Sequence, residues 1–435
     1  MRDLPLTTSF WFDSTIETSP PLEGARLADV AIVGGGFAGL STARHLKLRA
    51  PHLAIALVEA RHVGFGASGR NAGWVMSLPP LYWLLDDLGN RQRMDDIRWT
   101  TQFCSESNAE IGSLVQREAF ACDWNPTQHV LVARNALEVA TLRWIAPCFE
   151  AIGLRCEAFD SAHVEKLVGY RANAAFAYEI TTVQPYRLAR GLRQHCITLG
   201  VQVYENTSVT RIQRTKHGMK LLTGDGASLS AEKVILATNA YTKAIEVDAK
   251  MPSISTYHTY MLATDLLEAS VSDRICHARK PFGDAAVSFY IGRIHNERLI
   301  FNGIDRASAM TPEDDRHLGS LTKLDDEMLR RFPFLEGIPL AGAWGGGVLQ
   351  TASDAPIVRV ATDNPNVIFN IGYGGGSGVG MALLSGRLTT ELVLGSSAPD
   401  PDAQRLRTLL AGSRTPGVAG YTRAALGVLR SMFSS

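Results

Sequence analysis

The sequence predicts an α/β fold in which a domain of parallel strands and helices is joined to a second, α+β domain built on an antiparallel sheet. Two observations support this prediction. Apolar strands run into glycine-rich turns and helices near residues 28–75 and again near 344–395, whereas the blocks between them break this alternation. A chain of 435 residues is long enough for two or three domains. We assign residues 1–80, 166–254 and 341–435 to the first domain and 81–165 and 255–340 to the second.

Composition excludes several classes of function. The 43 basic and 43 acidic residues give a formal net charge of zero, which favours neither a nucleic acid nor an anionic membrane as a partner. Residues 1–27 lack the basic start and apolar core of a signal peptide, and no apolar run reaches the roughly 18 residues of a membrane helix. We therefore expect a cytoplasmic protein. The 11 histidines form no H-E-x-x-H motif and the six cysteines are scattered, so no metal site is predicted and the thiols are expected to be reduced.

The first glycine-rich turn has the pattern of a dinucleotide-binding unit. An apolar run at 30–33 leads into Gly34, Gly36 and Gly39 with G-x-G-x-x-G spacing, and a helix follows. In this motif the glycines permit a tight turn, close approach of a pyrophosphate and close packing of the helix on the strand. Phe37 and Ala38 open that helix, whose free N–H groups attract phosphate. A second strand ends at Glu59, about 20 positions after Gly39. At this place in the motif an acid binds a ribose 2′-hydroxyl.

A second loop of glycine and small residues follows Glu59. NAD does not require such a loop, but it suits a cofactor whose pyrophosphate and isoalloxazine are wrapped by a second segment. The pair GGGFAG…VEA and GFGASGRNAG resembles the FAD-binding amine and amino-acid oxidases of the D-amino-acid oxidase superfamily, and GFGASGRN is most similar to γ-glutamylputrescine oxidoreductase-like enzymes. The resemblance implies a Rossmann-like FAD-binding domain of the glutathione-reductase type. It also implies FAD contacts from Ala60, Arg61, Gly66, Ala67, Ser68, Arg70, Asn71, Ala72 and Gly73.

The middle of the chain alternates between the two predicted domains. Helical spacing over 81–120 is followed by a strand at 129–133 and a helix near 136–152. A helix at 188–199 and strands at 201–205, 208–212 and 233–241 return to the first domain. In the resembling family the backbone at Val209 touches adenine, and the last of these strands passes near the pyrophosphate, at Thr238 or Asn239.

The remaining chain completes the second domain and then returns to the cofactor. Strands are predicted at 257–264, 287–291 and 298–301, and a charged, solvated helix at 312–332. After a strand at 367–371, a glycine-rich turn enters a helix at about 379–395 and forms a second anion site. The resemblance places this turn over the flavin, where it stabilises negative charge. Its residues are Gly372, Gly374, Gly375, Gly376, Ser377 and Gly378. A basic amphipathic helix at 413–435 is expected to pack on the protein surface rather than on a membrane.

Amine oxidation needs a C–H beside a neutral nitrogen, aimed at the flavin, and no obligatory catalytic triad. We therefore expect apolar and aromatic side chains at the substrate, with Tyr257, Tyr260, Trp344 and Tyr373 as candidates. Residues 345–354 hold no cysteine and Gly69-Arg70-Asn71 holds no histidine, so FAD should be bound non-covalently. The arginine that clamps a substrate carboxylate in glycine and D-amino-acid oxidases is missing from 348–351, unless Arg293 or Arg306 replaces it.

These observations predict an FAD-dependent amine oxidase or dehydrogenase. It would transfer hydride from a C–N bond to flavin N5, yield an imine that hydrolyses, and use O2 or another electron acceptor. An amino-acid oxidase or N-demethylase, a flavin monooxygenase and a non-catalytic flavoprotein are the alternatives. The expected partners are a small amine and the electron acceptor, and the protein is expected to be a monomer or homodimer.

Overall fold

The computed structural model describes residues 3–13, 15, 17–78, 91–276, 279–285, 290–353, 355–374, 377–395 and 399–412. Its strands, in chain order, are β1 (Ala25–Val33), β2 (Ile55–Val58), β3 (Trp74–Val75), β4 (Asn125–Ala133), β5 (Cys156–Asp160), β6 (Ala174–Thr182), β7 (Gln202–Tyr204), β8 (Val209–Thr215), β9 (Gly218–Thr223), β10 (Ser228–Leu236), β11 (Glu246–Val247), β12 (Ile254–Thr264), β13 (Phe282–Asp284), β14 (Ile291–His295), β15 (Arg298–Ala307), β16 (Leu340–Thr351), β17 (Ile357–Val360) and β18 (Val367–Ile371).

The helices cover the two sheets that these strands form. In chain order they are α1 (Phe37–Arg49), α2 (Arg91–Arg117), α3 (Ala136–Ala151), α4 (Ser161–Val168), α5 (Pro185–Thr198), α6 (Ala269–Ile275), α7 (Leu318–Arg331), α8 (Gly378–Leu394) and α9 (Pro401–Ala411). Short 3-10 helices lie at Ala67–Gly69, Asn239–Ala244, Asp314–Arg316 and Pro333–Leu335. Among the described residues, none of the helices combines the length and the apolar character needed to cross a membrane.

The first sheet has a parallel centre, in which β1 pairs with β10 and β2, β2 with β7, and β10 with β18. The central segments 30–33 of β1, Ile55–Val58 of β2 and 234–236 of β10 are apolar and buried, because both faces of the sheet are covered there. Val30 and Ile32 face the helices α1, α5 and α8, whereas Ala31 and Val33 face the hairpin of β8 and β9. The α/β fold predicted from the sequence is confirmed.

The second sheet runs in the order β16-β12-β15-β14-β13-β4-β6-β3, with β5 beside β6. Its pairs are antiparallel except for the parallel pair of β13 and β4. One face packs on α7 through Leu321, Leu324 and Met328. The other face looks toward the first sheet. Strands β3, β6 and β16 pair within this sheet, although the sequence assigned their residues to the first domain.

Some predicted elements differ from those observed. The strand predicted to reach residue 241 ends at Leu236, because the chain turns there into the 3-10 helix Asn239–Ala244. The helix predicted to be solvated corresponds to α7. It is not fully solvated, because apolar residues at helical spacing within its charged sequence form a buried stripe. The predicted helix at 413–435 lies outside the described residues.

Candidate functional site

Three loops meet where the parallel strands β1, β10 and β18 end. A Cβ atom placed on Gly34, after β1, would lie 2.6 Å from the carbonyl oxygen of Ala237, after β10. The Oδ1 atom of Asn239 accepts hydrogen bonds from the backbone N–H groups of Gly372 (2.9 Å) and Tyr373 (3.2 Å), after β18. The carboxyl ends of adjacent parallel strands therefore form one crevice, the usual place for a ligand in an open α/β sheet.

The G-x-G-x-x-G glycines have the close contacts that the motif predicts. Gly34 has a φ of +109°, which favours glycine. A Cβ on Gly39 would lie 2.0 Å from the carbonyl oxygen of Gly34, and a Cβ on Gly36 would lie 2.9 Å from Ser68 Oγ. Gly36 is the N-cap of α1 and makes no side-chain capping bond, and the N–H of Phe37 donates to Ser68 Oγ (2.9 Å). Ala38 follows in the buried first turn.

Glu59 lies half-buried just beyond β2. Burial raises its pKa, although the N–H groups of Arg61 (3.0 Å) and Gly35 (2.7 Å) donate to its carboxylate. Backbone bonds from Thr207 to Glu59 and from Asn206 to Arg61 join this turn, which includes Ala60, to the segment that opens β8 at Val209. The predicted ribose and adenine residues therefore lie at one end of the crevice.

The second glycine loop folds over the start of α1. Its members Gly66, Ala67 and Ser68 lead into a 3-10 helix, and the Nδ2 atom of Asn71 donates to the carbonyl oxygens of Ala67 (2.9 Å) and Ser68 (3.0 Å). The Oδ1 atom of Asn71 accepts from the N–H of Gly73 (2.7 Å). Asn71 therefore shapes the loop from within. Ala72 packs against the buried cluster of Trp11, Tyr186, Met261, Ala263, Ile300 and Trp344.

Arg70 leaves this loop and is 2% exposed. Its Nη1 atom donates to Asp315 Oδ2 (2.7 Å) and to the carbonyl oxygen of Gly345 (3.2 Å). Gly346 is its neighbour in the second sheet, since a Cβ there would lie at an ordinary contact distance of 3.4 Å from the Cβ of Arg70. The Nη2 atom of Arg70 is buried and has no hydrogen-bond partner among the described residues. A buried guanidinium nitrogen of this kind is costly unless a ligand accepts from it.

No sequence motif indicates the partners of Arg70. Asp315 Oδ1 lies 2.9 Å from His258 Nε2, and His258 Nδ1 lies 2.7 Å from Ser308 Oγ. Burial opposes ionisation of Asp315, but the hydrogen bond from His258 and the charge of Arg70 prevail and hold its pKa below the usual range. This buried network ties the second glycine loop to the second sheet. Its members lie far apart in the chain and match no motif.

The glycine-rich turn after β18 is partly described. Gly372 has a φ of +96°, and a Cβ on Gly374 would lie 3.1 Å from the carbonyl oxygen of Leu349. Ser377 is the N-cap of α8, which begins at Gly378, and makes no side-chain capping bond. Gly375 and Gly376 lie outside the described residues. Thr238 reaches this turn through its neighbour Asn239, while its own hydroxyl contacts Thr242 (2.9 Å).

The aromatic candidates divide into two groups. Tyr260 and Trp344 are fully buried; the hydroxyl of Tyr260 donates to the carbonyl oxygen of Asp314 (2.9 Å) and the indole of Trp344 donates to that of Arg70 (3.0 Å). Both rings are enclosed by protein, and their role at the substrate stays a prediction. Tyr257 and Tyr373 are half-buried, and the Tyr257 hydroxyl lies 3.6 Å from where a Cβ on Gly374 would be.

Both alternative arginines already donate to protein acceptors, although the Nε atom of Arg293 is buried without a hydrogen-bond partner among the described residues. Arg293 is buried and donates to the carbonyl oxygen of Val183 (2.5 Å), and burial lowers its pKa to about 9. Arg306 donates to Asp314 Oδ1 (2.5 Å). Within the described part of the chain there is no cluster of His, Cys, Asp and Glu that could hold a metal ion.

Comparisons with known proteins agree with this geometry. A family model described as FAD dependent oxidoreductase (DAO) matches residues 29–392. The chain is 28% identical over 401 residues to the gamma-glutamylputrescine oxidoreductase of Escherichia coli, covering 90% of each protein. It is 25% identical over 423 residues to a probable oxidoreductase, OrdL, of Haemophilus influenzae, covering 95% of this chain and 92% of that protein. The crystal structure of glycine oxidase from Geobacillus kaustophilus shares the fold, with a TM-score of 0.69 and 19% identity over 85% of this chain and 95% of that one.

Proposed function

The chain belongs to the DAO family of FAD-dependent oxidoreductases, and from this premise we propose that it oxidises a C–N bond of an amine. One observation carries the proposal. The cofactor crevice adjoins a half-exposed patch of the second sheet that includes Tyr257 and Val348, while Arg293 is buried against the carbonyl oxygen of Val183 and Arg306 forms an ion pair with Asp314. Such a patch accepts an uncharged amine more readily than an amino acid, whose carboxylate would need a guanidinium partner.

The residues that line the crevice fit FAD. The close packing at Gly34, Gly36 and Gly39 brings the N-terminus of α1 to the carboxyl end of β1, where its positive dipole end would meet a pyrophosphate. We propose that Glu59 binds the ribose and that the backbone at Val209 meets the adenine. The unpaired Nη2 atom of Arg70 then gains an acceptor from the bound cofactor, which would remove the cost of leaving it buried alone.

When bound, FAD supplies the acceptor for the hydride that leaves the carbon beside the amine nitrogen. The residues of the chain bind and orient the cofactor and the substrate, and they exclude water. The N-terminus of α8, which begins at Gly378 and has no side-chain cap, would present a positive dipole end to negative charge. Loss of hydride and a proton from the amine gives an imine, which water hydrolyses to a carbonyl compound and an amine. We propose that O2 takes the two electrons and two protons as H2O2.

Visible spectroscopy tests the proposal directly. The purified protein should show flavin absorption, and acid precipitation should leave the yellow colour in the supernatant, because no cysteine lies at 345–354 to hold the flavin covalently. Anaerobic addition of amines, including γ-glutamylputrescine and N-methyl amines, should bleach the flavin. Admission of air should restore the colour and yield H2O2 together with a carbonyl product.

Each alternative gives a different outcome. Bleaching by glycine or sarcosine but not by simple amines would replace the proposal with an amino-acid oxidase or N-demethylase. Bleaching by NADPH alone would indicate a monooxygenase. Bleaching by amines with no recovery in air would retain amine oxidation but exclude O2 as the acceptor. A flavoprotein that no amine reduces would refute the proposal.

A further inference from the structure

One buried amide interrupts the apolar strand that leads into the glycine-rich turn after β18. All five residues of β18 are buried, and four of them are apolar. The fifth, Asn370, is 0% exposed. A buried amide costs free energy unless hydrogen bonds within the protein replace those that it makes with water. The partners of Asn370 therefore indicate what this amide does.

The side chain of Asn370 joins both helices that begin at the cofactor crevice. Its Nδ2 atom donates to Thr42 Oγ1 (3.0 Å) on α1 and to Ser385 Oγ (3.1 Å) on α8. These hydroxyls donate in turn to the carbonyl oxygens of Ala38 (2.8 Å) and Ala382 (2.7 Å) in their own helices. Ala38 is the second residue of α1 and Ala382 is the fifth of α8, so the amide is tied to the N-terminal turns of both helices.

The oxygen of the same amide holds the turn after β18. Asn370 Oδ1 accepts a hydrogen bond from the hydroxyl of Tyr373, while Asn239 Oδ1 accepts from the backbone N–H of Tyr373 (3.2 Å). A Cβ on Gly378, the first residue of α8, would lie 3.3 Å from the carbonyl oxygen of Tyr373. Both N–H groups and the oxygen of Asn370 are thus engaged, and they fix the turn where it meets the start of α8.

The position of this helix end matters because reduction of a flavin adds negative charge to it. The positive end of a helix dipole favours a nearby negative charge, and its effect falls off within the first turn. A displacement by a fraction of a turn is therefore enough to change the effect. On the basis of the proposed function, in which the N-terminus of α8 meets the negative charge of the flavin, we propose that Asn370 is a positioning residue. It holds this helix end in place and thereby raises the reduction potential of the bound cofactor.

The reduction potential tests the assignment without any substrate. The holoprotein and its Asn370→Ala variant would each be reduced slowly under anaerobic conditions together with a reference dye, and the absorption of flavin and dye would be followed. At a fixed ratio of reduced to oxidised dye, the substitution should lower the ratio of reduced to oxidised flavin roughly tenfold, because the helix dipole acts less favourably. For a two-electron couple this factor corresponds to about 30 mV.

Tyr373→Phe is the second variant, since it removes one hydrogen bond of Asn370 and keeps the aromatic ring. It should shift the ratio in the same direction by a smaller factor. Because the substitution removes a single hydroxyl, it also provides the measurement if Asn370→Ala does not fold or does not retain FAD.

Asn364→Ala is the matched control, because Asn364 is another buried amide and lies just before the opposite end of β18. It is 1% exposed, its Nδ2 atom donates to the carbonyl oxygen of Asp248 (2.8 Å), and its Oδ1 atom accepts from the N–H of Asn366 (3.1 Å). Its replacement should lower the melting temperature much as Asn370→Ala does, and it should leave the reduction potential at the wild-type value.

The outcomes separate positioning from a purely structural role. Wild-type potentials in folded Asn370→Ala and Tyr373→Phe, or an equal shift in Asn364→Ala, would overturn the assignment of Asn370. A shift in the Asn370 and Tyr373 variants alone would support it. A flavin that is reduced together with the dye but by no amine would refute amine oxidation only, and the potentials would still decide the role of Asn370.

Discussion

At the scale of single residues, the absence of a side chain at Gly39 sets the distance between α1 and the turn that precedes it. Replacing Gly39 with Ala would place a methyl group 2.0 Å from the carbonyl oxygen of Gly34, a backbone atom that cannot rotate away. We expect Gly39→Ala to lower the free energy of unfolding by about 1–3 kcal/mol and to weaken FAD binding. Urea unfolding and fluorescence titration of the apoprotein with FAD measure the two effects.

The matched control is Gly224→Ala, in the turn between β9 and β10. A Cβ at this position would meet only the Cγ2 atom of Thr210, at 3.9 Å, so stability and FAD affinity should stay near those of wild type. Equal behaviour of the two variants would show that the contact between Gly39 and Gly34 is not what limits substitution in this motif.

Asp315 gives a second prediction at this scale, because it pairs with Arg70 and with His258. Its pKa is depressed in the folded state, so its contribution to stability is present above about pH 4 and is lost as the pH falls through its lower folded-state value. Asp315→Asn should lower the free energy of unfolding at neutral pH by about 3 kcal/mol. It should also make this free energy depend less on pH below about pH 4. Urea unfolding at a series of pH values tests it.

The substitution of Asp315 should also weaken the binding of FAD. Without Asp315 the guanidinium of Arg70 loses its anchor, so the FAD dissociation constant should rise. Asp363→Asn, which alters an exposed carboxylate remote from Arg70, serves as the control for charge. Arg70 also donates from Nε to the carbonyl oxygen of Phe65 (3.0 Å). An unchanged FAD affinity in Asp315→Asn would show that the carbonyl oxygens of Gly345 and Phe65 are enough to orient Arg70.

The residues of the crevice differ in how well the sequence predicts them. Gly34, Gly39 and Glu59 are predictable because a local motif fixes each relative to one strand and one helix. Asp315 and His258 are not, since their role exists only after two distant segments meet at Arg70. The role of Trp344 at the substrate stays a prediction, because position in a motif does not say which side of a strand faces a cavity, and the indole is buried.

At the scale of whole elements, the helices α1 and α8, which follow the two glycine-rich turns, approach each other closely. A Cβ on Gly386 of α8 would lie 2.3 Å from the carbonyl oxygen of Ser41 in α1. Alanine favours a helix over glycine by about 1 kcal/mol, but a backbone clash of this size outweighs that gain. Gly386→Ala should therefore lower the melting temperature. Because the methyl group would push α1 and α8 apart, the variant should also retain less FAD after gel filtration.

Gly412→Ala, at the end of α9, provides the comparison. Its nearest atom would be the carbonyl oxygen of Thr408 at 3.5 Å, an ordinary contact, so this variant should match wild type. If Gly386→Ala proved as stable as Gly412→Ala, the two helices would have room to separate without loss.

Element prediction succeeded where the period of apolar residues was unambiguous. The strand at 367–371 is observed with the predicted bounds, since it is apolar and buried on both faces. Long-range pairing caused the failures. Strand β6 was assigned to the first domain from its place in the chain, but it pairs with β4 in the second sheet, and no local pattern specifies that partner.

At the scale of the whole molecule, the N-terminal segment joins the two sheets behind the cofactor crevice. Leu6 bridges to Ala343 of the second sheet, and the N–H of Ser19 donates to Glu205 (2.6 Å), beside the first sheet. Between them, the indole of Trp11 donates to the carbonyl oxygen of Asn71 (2.9 Å) in the second glycine loop. The segment is therefore a part of the folded core that supports the loop holding Arg70.

Trp11→Ala tests this arrangement, because Trp11 is only 2% exposed and its truncation leaves a cavity and an unpaired Asn71 carbonyl. We expect a loss of about 3–5 kcal/mol in the free energy of unfolding and a weaker hold on FAD. Leu27→Ala, at an 80% exposed position, should change neither quantity. A segment that merely lies on the surface would give Trp11→Ala the stability of Leu27→Ala. A loss of stability with FAD affinity intact would show that the two sheets, and not the loop, depend on Trp11.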